Sequence, residues 1–162
     1  MRLYLVRHGQ STLNRGQLNA QDAPLTKLGF QQAEWAGEAL SYEGIHRLYT
    51  SPLRRAVQTA TRISDALDMP PHVRPELCEY GGIWPVPGPD GPLYYDGLTR
   101  AELLTICPAA IAPESITDRG WWFHRFTPPC DDSLRHARES ARSLLAELAE
   151  TLTGGEDRAA LV

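Results

Sequence analysis

Several features that mark particular classes of protein are scarce in this 162-residue sequence. Cysteine occurs only as Cys78, Cys107 and Cys130, which are too few and too widely spaced for a disulfide framework or a zinc site. No apolar run approaches the ~20 residues of a membrane-spanning helix. The N-terminus meets Arg7 too soon for the apolar core of a signal peptide. These absences predict a cytoplasmic protein without a membrane partner.

Positive charge is also sparse and scattered. The formal net charge is −4, and there is no run of Lys or Arg. Because nucleic-acid binding depends on neutralising phosphates, this composition argues against a nucleic-acid partner. A small anionic substrate remains compatible with it, since a few focused arginines can bind an anion on an acidic background.

The first half of the chain alternates between strand and helix patterns. Residues 3–6 are apolar without alternation, which predicts a strand in the middle of a parallel sheet. Thr26 is a plausible N-cap for the next helix, and residues 45–49 predict a second strand. Ser51 with the following proline predicts the start of another helix, and residues 72–74 a third strand.

The second half continues this alternation after two irregular stretches. Thr99 and Glu102 form a predicted capping box. Ser133 is the predicted N-cap of a last helix, whose buried stripe runs from Leu134 to Leu152, and residues 159–162 predict a further buried strand. The pattern predicts an α/β fold: a three-layer α/β/α sandwich with a largely parallel central sheet. We expect one domain over residues 1–162, with irregular lid segments at about 81–97 and 108–132.

His8 is the first candidate for chemistry. It follows the predicted first strand directly, and open α/β sheets place their sites at the carboxyl ends of strands. An unprotonated ring nitrogen attacks phosphorus if the other nitrogen is held by an acceptor that fixes the tautomer. Arg7 supplies a planar fork that matches phosphoryl oxygens, and Gly9 permits close approach of the backbone.

Arg54 and Arg55 are the second candidates. They lie in the first turns of a predicted helix, where a positive charge opposes the helix dipole. That position indicates an anion between the helix and the sheet. Glu79 lies beyond the third predicted strand and is a candidate acid near such a phosphate-binding set.

These residues fall in runs that resemble a known family. Leu-Val-Arg-His-Gly-Gln-Ser-Thr-Leu-Asn at 5–14 resembles the signature of the histidine phosphatase superfamily, the phosphoglycerate-mutase-like proteins. The resemblance continues in the family's order at 24–29, 49–56 and 77–84, and more faintly at 128–134. Arg-His-Gly alone is a weak signal, but joined to Ser-Pro-Leu-x-Arg-Ala it is a strong one.

The resemblance implies a role for each candidate. His8 becomes the phosphohistidine, Arg7 and Arg55 bind the phosphoryl oxygens, and Asn14 assists. Arg55 is preferred to Arg54 because it directly precedes the alanine of the pattern.

The resemblance also implies the rest of the chemistry. Glu79 matches the acidic residue that protonates the leaving oxygen. Water then hydrolyses the phosphohistidine, and neither a metal nor a cofactor is implied. The expected partner is a small phosphorylated substrate, and the oligomeric state stays open.

One family residue has no counterpart in the sequence. Proteins of this family carry a second pocket histidine in a Ser-His-Gly-like segment after a late buried strand, whereas this sequence stops at Val162, where such a strand would form. We therefore expect the C-terminal part of the domain to be missing and the chain to bind phosphate poorly. His124 is an alternative that would approach the pocket from above. The other histidines outside such a context are His46, His72 and His136.

Three functions fit these observations. The first is a phosphatase of small phosphorylated metabolites, and the second is a phosphoglycerate mutase. The run Tyr-Gly-Gly-Ile-Trp at 80–84 resembles the phosphatase branch more than the Arg-x-Tyr-Gly-like run of the mutases. The third is a non-catalytic phosphate-binding module, which only the missing second histidine favours.

Substrate specificity is expected in the aromatic segments 83–97 and 119–126. The candidate residues are Trp84, Tyr94, Trp121 and Arg125. Their aromatic rings either stack on a ring of the substrate or pack the lid onto the domain.

Overall fold

The computed structural model describes residues 1–15, 21–79, 83, 85–122 and 131–162, without the side chains of Arg15, Asp131, Asp132, Ser133 and His136. Its strands are β1 (Arg2–Leu5), β2 (Arg47–Thr50), β3 (Pro71–Val73), β4 (Val86–Gly88), β5 (Gly91–Leu93) and β6 (Arg158–Leu161). Its α-helices are α1 (Lys27–Ser41), α2 (Arg54–Leu67), α3 (Arg100–Ile106) and α4 (Asp131–Thr151). In this part of the chain, none of the helices is both long enough and apolar enough to span a bilayer.

The main sheet has the order β1-β6-β2-β3 among the described strands, and every pairing is parallel. The predicted strand near residues 159–162 is confirmed, and Ala159 and Ala160 are fully buried between β1 and β2. The predicted central position of β1 is wrong for the described strands. Its partner is β6, and Leu5 is 82% exposed.

Helices cover the two faces of this sheet, which confirms the predicted three-layer arrangement. On one face, Leu48 and Ala160 pack against apolar residues of α1 and α2. On the other face, Tyr49 and Leu161 pack against leucines of α4. Because successive side chains of a strand point to opposite faces, adjacent residues of β2 and of β6 serve different layers.

Two of the predicted helix caps are confirmed. The Thr26 side chain accepts a hydrogen bond from the Gly29 N–H at 3.1 Å and caps α1. Thr99 and Glu102 form the reciprocal capping box of α3. In both cases a side-chain oxygen satisfies a backbone N–H group that has no partner within the helix.

The two predicted serine caps are wrong. α2 begins at Arg54 after Leu53, and the Ser51 hydroxyl instead accepts a hydrogen bond from the Leu53 N–H at 3.3 Å, within the turn before the helix. α4 begins at Asp131, two residues before Ser133. Both helices therefore begin at positions that the cap preferences alone did not identify.

The buried stripe of α4 is only half as long as predicted. Leu144, Leu148 and Leu152 are buried, but Leu134 is 37% exposed. The reason is length. A strand of four residues spans about 13 Å, whereas a helix of 21 residues spans about 31 Å. The sheet therefore contacts only the C-terminal half of the helix.

The predicted irregular segment 81–97 contains an antiparallel hairpin, β4–β5. The sequence between the strands is Pro89-Asp90, followed by Gly91 at φ 127°. This Pro-Asp-Gly run favours a tight turn, because proline sets φ, aspartate tolerates turn geometry and glycine accepts positive φ. In the second predicted lid, the described residues 108–122 are mostly turns, with Ile111 bridging to His72 of β3.

Candidate active site

A cavity of about 310 Å³ lies at the carboxyl edge of the sheet, where β1, β2, β3 and β6 end. Its walls include Ser51 and Val162, which directly follow β2 and β6. The structure brings all five residues of the predicted catalytic and phosphate-binding set to this cavity. They are Arg7, His8, Asn14, Arg55 and Glu79.

The ring of His8 is held at both nitrogens. Its Nδ1 lies 2.7 Å from the carbonyl oxygen of Gly9, so Nδ1 carries the proton and donates it. Its Nε2 accepts a hydrogen bond from Nε of Arg55 at 3.2 Å, which leaves Nε2 with a lone pair. This is the tautomer that a nucleophilic histidine requires.

The surroundings of His8 favour the neutral ring. Burial lowers its pKa below the ordinary value of 6.5. The hydrogen bond to the Gly9 carbonyl raises the pKa, and the charge of Arg55 lowers it again. The net direction is downward, which makes the lone pair on Nε2 available at neutral pH.

The loop after β1 is fixed by a close crossing of two backbones. A Cβ atom on Gly9 would lie 2.2 Å from the carbonyl oxygen of Gly29, and a Cβ on Gly29 would lie 2.1 Å from that of Gln10. Glycine is therefore required at both positions, and at Gly9 the close neighbour is the start of α1. The Gly9 N–H also donates to the Thr59 hydroxyl at 3.1 Å, which ties the His8 loop to α2.

Arg55 is the second residue of α2 and is almost completely buried, with 5% of its side chain exposed. Its Nη2 lies 2.8 Å from Oε1 of Glu79, and its Nε lies against His8. The neighbouring Thr59 hydroxyl donates to the Arg55 carbonyl at 2.8 Å. These contacts place a buried positive charge beside the candidate nucleophile, where an anion would be bound.

Asp22 is a residue of this site that the sequence analysis missed. Its Oδ1 accepts a hydrogen bond from the Arg54 N–H at 2.9 Å and lies 3.9 Å from Nη1 of Arg55. Burial raises the pKa of Asp22 to about 6. One sequence signal could have identified Asp22 as a candidate: it lies two residues before Pro24, where the family-like run at 24–29 begins.

The remaining polar residues of the cavity present donors and an acid. The Oδ1 of Asn14 accepts hydrogen bonds from the N–H and the hydroxyl of Ser11, both at 3.0 Å, which leaves its amide NH₂ as the donor end. Arg7 is exposed along the cavity wall. The side chain of Glu79 is 53% exposed, so water reaches its carboxylate.

The predicted specificity residues do not lie together at the cavity. Trp121 is 7% exposed and packs in an apolar cluster with Leu98 and Leu103. Tyr94 is half exposed and is not among the residues that line the His8 cavity. Trp84, Arg125 and the alternative histidine His124 lie outside the described residues.

Within the described residues, His, Cys, Asp and Glu side chains form no cluster of three or more that is placed to hold a metal ion. Burial raises the pKa of the Cys78 thiol, which neighbours Glu79, to about 12, and this disfavours its thiolate. Among the described residues, the charged side chains that line the cavity are those of Arg7, Arg55 and Glu79.

A histidine whose unprotonated Nε2 faces a buried arginine, at the carboxyl edge of a parallel sheet, is the arrangement expected of an α/β phosphoryl-transfer site. The sequence profile of the "Histidine phosphatase superfamily (branch 1)" matches residues 3–85, about half of the chain. The chain belongs to this superfamily.

Two relatives illustrate the similarity in sequence. The adenosylcobalamin/alpha-ribazole phosphatase of Salmonella typhimurium is 40% identical over 87 residues, which cover 52% of this chain and 43% of that protein. A Yersinia pestis protein named "Probable phosphoglycerate mutase GpmB" is 35% identical over 81 residues, covering 49% and 38% of the two chains. The matched regions thus span less than half the length of these curated relatives.

Solved structures show the same fold over a longer stretch. A mycobacterial glucosyl-3-phosphoglycerate phosphatase aligns with a TM-score of 0.61 and 25% identity, covering 99% of this chain and 73% of that one. The ecdysone phosphate phosphatase of the silk moth Bombyx mori aligns with a TM-score of 0.63 and 19% identity, covering 100% and 72%. The second likeness concerns the fold alone.

Proposed function

We propose that this protein is a phosphatase that hydrolyses the monoester of a small phosphorylated compound through a phosphohistidine on His8. The observation that carries the proposal is the orientation of the His8 ring, with Nδ1 bound to the Gly9 carbonyl and Nε2 facing Arg55 at 3.2 Å. Names of family relatives support the reaction class, because the Salmonella and mycobacterial proteins are both phosphatases.

In the first step, the lone pair of His8 Nε2 forms a bond to phosphorus while the ester P–O bond breaks. Arg55 exchanges its contact with Nε2 for the phosphoryl oxygens, and Arg7 and the Asn14 amide bind the same oxygens. Displaced from Arg55 by the phosphoryl oxygens, the Glu79 carboxylate takes up a proton from solvent and passes it to the leaving oxygen. Positioning and charge stabilisation supply most of the rate, because such a transition state spreads charge over the phosphoryl oxygens.

In the second step, water attacks the phosphohistidine. The P–N bond breaks, phosphate leaves, and the Glu79 carboxylate takes the proton from the water. The run at 80–84 favours hydrolysis over a mutase reaction, because it resembles the phosphatase branch of the family. Glu79 then releases this proton to solvent and its carboxylate pairs with Arg55 again, which restores the starting protonation state.

The experiment is a panel of phosphate esters, assayed with the protein expressed from its full gene. We expect inorganic phosphate to be released, and acid-labile phosphate to be trapped on the wild type but not on His8→Ala. Isomerisation of phosphoglycerate without phosphate release would assign the mutase reaction instead. Phosphate binding without turnover of any ester would assign the non-catalytic module. Full activity in His8→Ala would identify another nucleophile.

A further inference from the structure

We propose that Asp22 is a positioning residue, which holds the guanidinium of Arg55 in the orientation that receives the phosphoryl group. This inference rests on the proposed phosphatase reaction. Asp22 lies in the segment before α1, far in sequence from α2, yet its carboxylate contacts the first two residues of that helix.

The carboxylate of Asp22 is unusually placed for a charged group. Only 2% of its side chain is exposed, and its Oδ2 has no hydrogen-bond partner among the described residues. A buried acid with an unsatisfied oxygen destabilises the fold unless a nearby charge compensates. The nearest compensating charge is that of Arg55, whose Nη1 lies 3.9 Å from Oδ1 of Asp22. Only 5% of the Arg55 side chain is exposed. That distance is too long for a hydrogen bond, but the attraction is little screened between two buried groups.

Three groups surround the guanidinium of Arg55, and they differ in whether they line the cavity that receives the substrate. His8 contacts Nε and Glu79 contacts Nη2, and both line the cavity. Both acceptors must release the guanidinium when phosphoryl oxygens bind. Asp22 contacts Nη1 and is not among the cavity-lining residues, so it retains its place throughout turnover. It therefore fixes one corner of the guanidinium while the other two exchange partners.

The segment that carries Asp22 is itself held firmly. Ser11 and Leu25 form an antiparallel bridge, and the Thr12 N–H donates to the Pro24 carbonyl at 2.9 Å. The Leu25 N–H donates to the side chain of Gln58 in α2 at 2.8 Å. These links connect the His8 loop, the Asp22 segment and α2, so the carboxylate is presented from a rigid position.

A competing role is purely structural. α2 has no side-chain cap from Leu53, and Asp22 satisfies the free Arg54 N–H from a distant part of the chain. Asparagine and aspartate are about equally good acceptors for such an N–H group. Asp22→Asn therefore retains the cap and removes only the charge that faces Arg55, which separates the two roles.

The charges around Asp22 come from several elements. Burial raises its pKa, as does the charge of Glu102 in α3, whereas Arg54 and Arg55 of α2 lower it. Tyr95 and Cys78 also lie within electrostatic range. Because Arg55 is the closest side-chain charge, loss of the carboxylate acts first on the phosphate-binding group.

The test compares wild type, Asp22→Asn, Asp22→Ala and Asp65→Asn, in the protein expressed from its full gene. Asp65 is an exposed acid of α2, the helix that carries Arg55, and it is paired with Arg62. Asp65→Asn is therefore the control for a general loss of negative charge. We expect Asp22→Asn to lower kcat by about 10- to 100-fold, since a small displacement of a catalytic group has effects of this size. Its melting temperature at pH 7.5 should equal or exceed that of the wild type, and inhibition by inorganic phosphate should weaken.

The pH profile provides a second reading. In the wild type, kcat/KM should fall as the pH drops through about 6, where Asp22 takes up a proton. Asp22→Asn should lose this contribution and retain only the fall that protonation of His8 causes. Wild-type kinetics and pH profile in Asp22→Asn would overturn the inference, as would an unfolded Asp22→Asn, which would make the residue structural. A fold-change in Asp65→Asn as large as that in Asp22→Asn would also overturn it. A wild type that hydrolyses no ester would refute the proposed function instead.

Discussion

Two regions of this molecule differ in the contacts that matter most for their roles. In the site region, residues 1–15 and 21–79, polar and backbone contacts join the His8 loop and the Asp22 segment to the helices, as between Gly9 and Thr59, Gly9 and Gly29, and Asp22 and Arg54. In the cover region, residues 85–122, apolar side chains share one cluster with the start of α2; they are Leu98, Leu103, Ile116 and Trp121. Directional contacts fix the position of a side chain closely, whereas apolar packing mainly supplies stability. We therefore expect substitutions in the site region to reduce catalysis and those in the cover region to reduce stability.

The sharpest test of this difference is within the site region. Arg55→Ala should slow turnover by ~10²–10³, the usual effect of losing one preorganised charge-stabilising group. The matched control is Arg54→Ala, because Arg54 is adjacent in sequence and equally charged but does not line the cavity. Steady-state kinetics on the best ester of the panel would measure both. Equal losses in the two variants would remove the distinction between the arginines.

The corresponding test in the cover region concerns Leu103. It is fully buried in the apolar cluster, so Leu103→Ala should destabilise the fold by about 2–5 kcal/mol through lost burial and a residual cavity. Chemical denaturation would measure this loss. At a temperature where the variant remains folded, kcat should stay within about threefold of wild type. A 100-fold fall in kcat in folded Leu103→Ala would show that the cover region also positions catalytic groups.

A substitution at Gly9 tests whether one backbone contact in the site region supports both catalysis and stability. Gly9→Ala places a Cβ within 2.2 Å of the Gly29 carbonyl oxygen, and neither backbone yields easily. We expect a loss of about 1–3 kcal/mol, as for overpacking in a core, together with a lower kcat because His8 is displaced. Gly155→Ala is the control, since an added Cβ there meets nothing within 4 Å. A Gly9→Ala protein with wild-type kinetics would show that the loop tolerates the shift.

The smallest expected effect is a pH dependence of stability from Asp22. Its pKa is raised by burial from 3.8 to about 6 in the folded protein, so the folded state binds this proton more tightly than the unfolded state. The resulting stabilisation is complete below pH 3.8 and is lost as the pH rises through 6. Between pH 5 and 7 the wild type should lose about 1 kcal/mol relative to Asp22→Asn. Parallel stability curves for the two proteins would contradict this assignment.

The same contrast explains what the sequence could predict. Arg7, His8, Asn14, Arg55 and Glu79 were predicted as one group, and they line one cavity because strand ends and helix starts meet at the carboxyl edge of a parallel sheet. Their chemical roles stay predictions. Local motifs indicated this arrangement because His8, Arg55 and Glu79 each come within a few residues of the end of a strand.

Features that depend on distant partners were harder to predict. Asp22 caps α2 from across the site, and no local pattern in a polar segment indicates such a contact. Ser51 resembled a local cap, but α2 begins three residues later, at Arg54, and the distant Asp22 accepts the hydrogen bond from its first N–H. Leu134 is exposed because the sheet does not extend far enough to cover it, and the apolar periodicity of a helix carries no information about the length of the sheet beneath it.

The pairing of β1 with β6 has a consequence for synthesis of the protein. β1 emerges from the ribosome long before its partner in the described sheet, because Leu5 lies opposite Leu161. At 5–20 residues per second, roughly 8–30 s pass before that partner is made. Throughout this interval the strand that precedes His8 has no β6 to pair with, and contacts between such distant residues form slowly. The loop that carries His8 is therefore translated well before β6 and reaches its final geometry only after β6 has been made.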